Sequence, residues 1–148
     1  MVNQLWLAED DPDDVEFFLE ALNEIDKSIS CVYARNGAEL IQKIKTKHFP
    51  YPDVIFLDVN MPEMNGWETL EYIKKDPELA DVPIIMYSTS SARRDAQKAI
   101  EEGALCFYEK PANYVLLKEF LLYIVSNPVD KAAIMSLAKN NRTQKIFV

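Results

Sequence analysis

Acidic residues crowd the start of the chain. Six of the eight residues from Glu9 to Glu16 carry carboxylates, directly after the apolar run Leu5-Trp6-Leu7-Ala8. A further carboxylate, Asp58, closes the run Val54-Ile55-Phe56-Leu57. Asn60 stands two residues on, Ser88 and Thr89 follow Val82–Tyr87, and Glu109-Lys110-Pro111 follows Leu105–Tyr108. Carboxylates brought into one pocket raise one another's pKa or demand a cation. An incomplete set of oxygen ligands leaves room for water and phosphate, which suits Mg²⁺. A cation seated there covers the approach of an anion. A lysine reaching the same carboxylate adds a point charge, and the Ser88 hydroxyl is a donor for a phosphoryl oxygen. Each residue alone has an ordinary role: acid at a helix start is stabilising by itself, a serine after a strand caps a helix, and a lysine is a surface charge. Their joint occurrence, each at the end of its own apolar run, carries the chemical reading.

The elements that would bring them together are legible from the period of the apolar residues. Val15, Phe18, Leu19, Leu22 and Ile25 recur at helical spacing behind an Asp11-Pro12 start, where Asp caps and Pro suits the first turn. Ile29–Ala34 is a second strand, broken by Asn36-Gly37, and Leu40, Ile41 and Ile44 mark a second helix. Val54–Leu57 is the strongest strand, and a loop from Val59 to Gly66 follows. Trp67, Leu70 and Ile73 predict a third helix ending at Lys74-Lys75, before Asp76-Pro77. Val82–Tyr87 is a fourth strand. Ser88–Ser91 is expected to cap a fourth helix carrying Ala92, Ala96, Ala99 and Ile100, with Gly103 as its C′ residue. Leu105–Tyr108 is a fifth strand, and Asn113 caps a fifth helix with Val115, Leu116, Phe120, Leu121 and Ile124 on its stripe. Strands alternating with crossover helices define an α/β fold with a parallel sheet covered on both faces. The strands are apolar throughout, as a doubly buried sheet requires. A polar site in such a sheet lies beyond the carboxyl ends of the strands.

The chain of 148 residues is one domain's worth of sequence, with 49% hydrophobic residues to build a core. The expected division is 1–126 for the domain and 127–148 for a tail in which Ala132, Ala133, Met135, Leu137 and Ala138 suggest a short helix; residues 140–148 are expected to fray. The net charge of −8 argues against nucleic acid and anionic membrane as partners. No apolar run approaches a membrane span, and the start Met1-Val2-Asn3-Gln4 lacks a secretory pattern. Cys31 and Cys106 are read as buried reduced thiols of a cytoplasmic protein.

The stretch Asp53-Val54-Ile55-Phe56-Leu57-Asp58-Val59-Asn60-Met61-Pro62-Glu63-Met64-Asn65-Gly66 resembles the phospho-acceptor strand and Met-Pro…Gly loop of the receiver domains of two-component response regulators. Ala8-Glu9-Asp10-Asp11, Ser88 and Glu109-Lys110-Pro111 complete the set in the family's chain order, and the resemblance covers residues 4 to about 126. It implies a flavodoxin-like (βα)5 three-layer sandwich with five parallel strands in the order 2-1-3-4-5. It implies that Asp58 accepts the phosphoryl group, and that Glu9, Asp10, Asp58 and the backbone carbonyl of Asn60 hold Mg²⁺. Lys110 would contact the phosphoryl group and the acceptor carboxylate. Ser88 and Phe107 would take the hydroxyl and aromatic switch positions, and the Lys110–Pro111 bond would be cis. Two departures from the family pattern are Glu9 in place of a first Asp and Ala112 in place of an aromatic residue.

By the same resemblance the donor is a phosphohistidine of a histidine kinase or phosphotransfer protein, and the aspartyl phosphate is lost by slow self-hydrolysis. The readout is a conformational switch at the face of the fourth helix, fifth strand and fifth helix, with Arg93, Arg94, Lys98 and Lys118 around it. The expected protein is a cytoplasmic, stand-alone signalling phosphoprotein rather than an enzyme. It would act on a downstream protein target, as a monomer or a phosphorylation-linked homodimer. Asp76-Pro77-Glu78-Leu79 is similar to single-domain receivers paired with phytochrome-like or other hybrid sensor kinases. The alternative is a haloacid-dehalogenase-type phosphatase with Asp58 as nucleophile, but its general acid would stand where Asn60 is, and an amide cannot take that role. A dinucleotide-binding module is disfavoured because Gly37, Gly66 and Gly103 are the only glycines and none follows the first strand.

Overall fold

In the computed structural model, residues 2–89, 93–141 and 143–148 are described. Strands β1 (Gln4–Ala8), β2 (Ser30–Ala34), β3 (Val54–Leu57), β4 (Ile84–Ser88) and β5 (Cys106–Glu109) alternate with helices α1 (Pro12–Ile25), α2 (Gly37–Thr46), α3 (Gly66–Lys75), α4 (Arg93–Glu101) and α5 (Tyr114–Ser126). Helix α6 (Lys131–Asn140) and strand β6 (Ile146–Phe147) follow. The sheet order is β2-β1-β3-β4-β5-β6; the first five strands are parallel and β6 is antiparallel to β5. This is the flavodoxin-like receiver fold with one strand more than expected.

Local sequence chemistry sets the helix starts. Asp11 accepts hydrogen bonds from the amides of Asp13 and Asp14, with Pro12 at the first helical position. Asn36 accepts from Glu39 N, and Asn113 accepts from Leu116 N. Asn65 and Glu68 form a reciprocal capping box at α3. Ser90, Ser91 and Ala92, read as cap and start of α4, lie outside the described residues. Gly103 has φ 102° just past α4, a conformation glycine adopts without strain.

The strands alternate their side chains between two apolar layers. Leu5, Leu7, Phe56, Tyr87 and Tyr108 pack with Phe18, Phe120 and Ile124 from α1 and α5. Trp6, Ala8, Ile55, Leu57, Met86 and Phe107 pack with Leu40, Leu70, Ile73, Ala96 and Ala99 from α2, α3 and α4. β4 begins two residues later than its apolar run predicts, because Pro83 has no N–H to give the ladder; its carbonyl accepts from Ile55 N instead. At its other end β4 runs one residue further than its apolar run and includes Ser88, which pairs with Glu109.

The described residues from 143 to 148 depart from the expectation of fraying. Ile146 pairs with Tyr108 and Phe147 with Phe107. Gln144 is buried, accepts from the Tyr108 hydroxyl and donates to the carbonyl of Leu116. The Phe147 ring meets Phe107 edge-on at 6.2 Å between centroids. No helix among the described residues is long and apolar enough to cross a membrane.

Candidate functional site

Register builds the site. Ala8 pairs with Leu57, and Asp58 N donates to Ala8 O at 3.0 Å, so the next residues, Glu9 and Asp58, emerge side by side from the carboxyl ends of the adjacent strands β1 and β3. On the far side Ser88 pairs with Glu109, and Lys110 N donates to Ser88 O at 2.7 Å. That turn aims the Lys110 side chain back across the strand ends. Its ammonium lies 2.5 Å from Glu9 Oε1, 2.8 Å from Asp14 Oδ2 and 3.6 Å from Asp58 Oδ2.

The loop after β3 is folded tightly on the acceptor strand. Gly66 N donates to Val59 O at 2.9 Å, and a Cβ on Gly66 would stand 2.2 Å from the carbonyl oxygen of Asp58. Glycine is therefore required there for close backbone approach. Val59 and Met61 are buried and anchor the loop, while Asn60 between them is exposed.

Electrostatics and burial oppose each other in the pocket. Glu9 is 0% exposed and Asp58 5%. Burial, reinforced by the neighbouring Asp58, pushes the Glu9 carboxyl up to about 8. Burial also raises Asp58, against the lowering effects of Glu9 and Lys110. For Lys110, burial disfavours the charge, but the hydrogen bond to Asp14 and the close carboxylate of Glu9 outweigh it and hold the ammonium protonated above its usual range.

Carboxylate oxygens of Glu9, Asp10 and Asp58 lie within 4.8 Å of one another, with Asp10 exposed and the other two buried. Glu9 Oε1 is buried and takes no hydrogen bond among the described residues, its close contact with Lys110 being an ion pair without hydrogen-bond alignment. A buried carboxyl oxygen without a hydrogen-bond donor is costly. A divalent cation bound by hard oxygens satisfies it, so the residues present fit such an ion.

Glu9, Asp10, Asp58, Ser88 and Lys110 thus come together at one end of the sheet as expected. Phe107 is different: it is fully buried within β5, in the apolar layer under α2, α3 and α4, with the Phe147 ring edge-on to it. Lys98 lies 4.5 Å above the Trp67 ring, and Lys118 pairs with Glu24 at 2.9 Å, so both cations are engaged with neighbouring helices. The expected cis bond before Pro111 is not found: the peptide is trans. Proline only narrows the preference for trans, and the chain leaves β5 through the Lys110–Ser88 backbone bond without the other isomer. Asp14 and Tyr87 were not singled out from the sequence. Asp14 sits one helical turn beyond Asp10, and Tyr87 places its ring 5.2 Å beneath the Lys110 ammonium. The four-residue spacing from Asp10 was the available signal for Asp14.

Comparison with known proteins agrees with this geometry. The sequence model of the response regulator receiver domain matches residues 5–121. A probable cyclic di-GMP phosphodiesterase of Vibrio cholerae is 31% identical over 113 residues, 76% of this chain but 24% of that protein. This chain spans only 21–28% of the length of the first curated relatives it matches. Among solved structures, the phosphorylated cyanobacterial phytochrome response regulator RcpA superposes with a TM-score of 0.75 at 28% identity, covering 82% of this chain and 90% of that one. The Mn²⁺-bound response regulator Rcp1 gives 0.76 at 25% identity, covering 86% and 94%. The chain belongs to the response regulator receiver domain family. Its acidic pocket fits the acceptance of a phosphoryl group, and the comparisons give the phosphatase alternative no support.

Proposed function

We propose that Asp58 is the phospho-acceptor of a two-component signalling pathway. The observation that carries this reading is a buried aspartate with a lysine ammonium 3.6 Å away and two further carboxylates beside it, all at the carboxyl end of a parallel sheet. The donor is a phosphohistidine of a histidine kinase or phosphotransfer protein. One oxygen of Asp58 attacks phosphorus in line, the P–N bond breaks, and the departing imidazole nitrogen keeps the electron pair and takes up a proton. Glu9, Asp10, Asp58 and the backbone carbonyl of Asn60 would hold Mg²⁺. The ion would neutralise charge on the transferring group. Lys110 meets the same group as a fixed cation, and Ser88 donates to one of its oxygens.

Ser88 and Phe107 then form the switch, read out by a protein target at the surface of α4, β5 and α5. Residues 1–126 form the receiver unit, 127–148 an appended segment, and the setting is the cytoplasm. Three solved relatives are phytochrome or bacteriophytochrome response regulators by name, which supports a phytochrome-type sensor kinase as the donor's source.

The test is labelling with acetyl phosphate and Mg²⁺, read by intact mass. Wild type is expected to gain one phosphoryl group, and Asp58→Asn to gain none while its circular dichroism is unchanged. Chelation of the metal should abolish labelling of wild type. Undiminished labelling of Asp58→Asn would place the acceptor elsewhere.

A further inference from the structure

An ammonium has three N–H donors, and in this protein three carboxylates surround that of Lys110. The order of distances is informative: Glu9 at 2.5 Å, Asp14 at 2.8 Å, and Asp58, the acceptor, furthest at 3.6 Å. The Asp14 contact is an aligned hydrogen bond from Nζ to Oδ2, whereas Glu9 makes only an ion pair. Asp14 projects from the first turn of α1 and is fixed by the Asp11 cap, which receives the amide of Asp14 itself. The face of Tyr87 lies under the ammonium, 5.2 Å from its centroid. A hollow of about 170 Å³, lined by Asp14, Phe17, Tyr87, Lys110 and Tyr114, opens on this side of the lysine.

We propose that Asp14 is a positioning residue that tethers Lys110 toward α1, away from Asp58, and so restrains phosphorylation of the acceptor. The inference rests on the reading of Asp58 as phospho-acceptor. Glu9 belongs to the cation's ligand set, and Asp14 does not. Asp14 is therefore the carboxylate that still competes for Lys110 once a cation is seated. A phosphoryl group on Asp58 has to draw the ammonium from that hydrogen bond, and the bond's strength is subtracted from the affinity for the group. The same anion also opposes the incoming negative charge, which any nearby carboxylate would do. Asp13 separates the two effects: it is the adjacent, exposed residue and carries the same charge.

The experiment compares wild type, Asp14→Asn, Asp14→Ala and Asp13→Asn in the full chain. Beryllofluoride with Mg²⁺ serves as the phosphoryl mimic, followed by intrinsic tryptophan fluorescence, with acetyl phosphate labelling in parallel. Both Asp14 variants are expected to bind the mimic at least about fivefold more tightly than Asp13→Asn, a coupling typical of linked sites. In the ligand-free protein, the ¹⁵N-lysine spectrum should show a protected Lys110 ammonium that is lost in the Asp14 variants and kept in Asp13→Asn. Wild type that binds the mimic, with Asp14 variants equal to Asp13→Asn or weaker, overturns the tether and leaves the acceptor reading intact. Wild type that neither binds nor labels overturns both.

Discussion

Glu9 is where this site differs most in chemistry from a surface carboxylate. Buried beside Asp58, its proton is held up to about pH 8, whereas in the unfolded chain it is lost near the ordinary value of 4.5. The folded, metal-free protein therefore binds more protons than the unfolded one between those values. Stability is fully present below the lower value and falls as pH rises through about 8. Asp58 is raised too and acts with the same sign. We expect the urea midpoint of metal-free protein to fall between about pH 5 and about pH 9, and Glu9→Gln to flatten that slope. The same proton competes with a cation, since a ligand carboxylate must be ionised. Mg²⁺ affinity, followed by calorimetry, should rise with pH toward 8 in wild type; a pH-independent affinity would show that Glu9 is not a ligand. The sequence made Glu9, Asp10, Asp58 and Lys110 legible because each ends an apolar run. It hid Asp14 among five other acids, since only the phase of α1 tells which of them faces the lysine.

At the scale of elements, the tight turn between β3 and α3 is set by one missing side chain. A methyl group at Gly66 meets the backbone of Asp58 and Val59, which cannot swing aside as a side-chain end would. Gly66→Ala is expected to cost about 1–3 kcal/mol, measured by chemical denaturation, and to lower phosphoryl labelling by displacing Asp58. Helix boundaries were readable because their determinants are local: Asp11, Asn36, Asn65 and Asn113 each cap within three residues of themselves. β6 was not readable for the opposite reason. It has two paired residues and no period of its own, and its position depends on Gln144 joining Tyr108 to Leu116 across more than twenty residues of chain. The isomer at Pro111 is likewise a tertiary matter, so a family resemblance could suggest it but not fix it.

Over the whole molecule, the central sheet is enclosed by two apolar layers, and the layer under α1 and α5 is dominated by rings. Phe56 is fully buried and meets Phe18, Tyr87 and Phe120 edge-on at 5.0–6.3 Å between centroids. Phe56→Ala is expected to cost about 3–5 kcal/mol by the loss of burial and the cavity left behind, read from the urea midpoint. Since Phe56 lies two residues before Asp58, the cleaner comparison is Phe56→Leu. That variant should recover most of the stability and leave Mg²⁺ affinity unchanged. The alternation of β and α and the apolar strands were enough to give a parallel sheet covered on both faces, whereas the strand order rested on the family resemblance.

The antiparallel run of Ile146 and Phe147 has one more consequence. A bare flank along Cys106–Glu109, rich in aromatic and apolar residues, would be a template for edge-to-edge polymerisation. Here that flank is occupied by two residues of opposite direction, too short to seed another row, with the cationic Lys145 exposed beside them. The molecule thus carries its own stopper against fibril-like growth on this side.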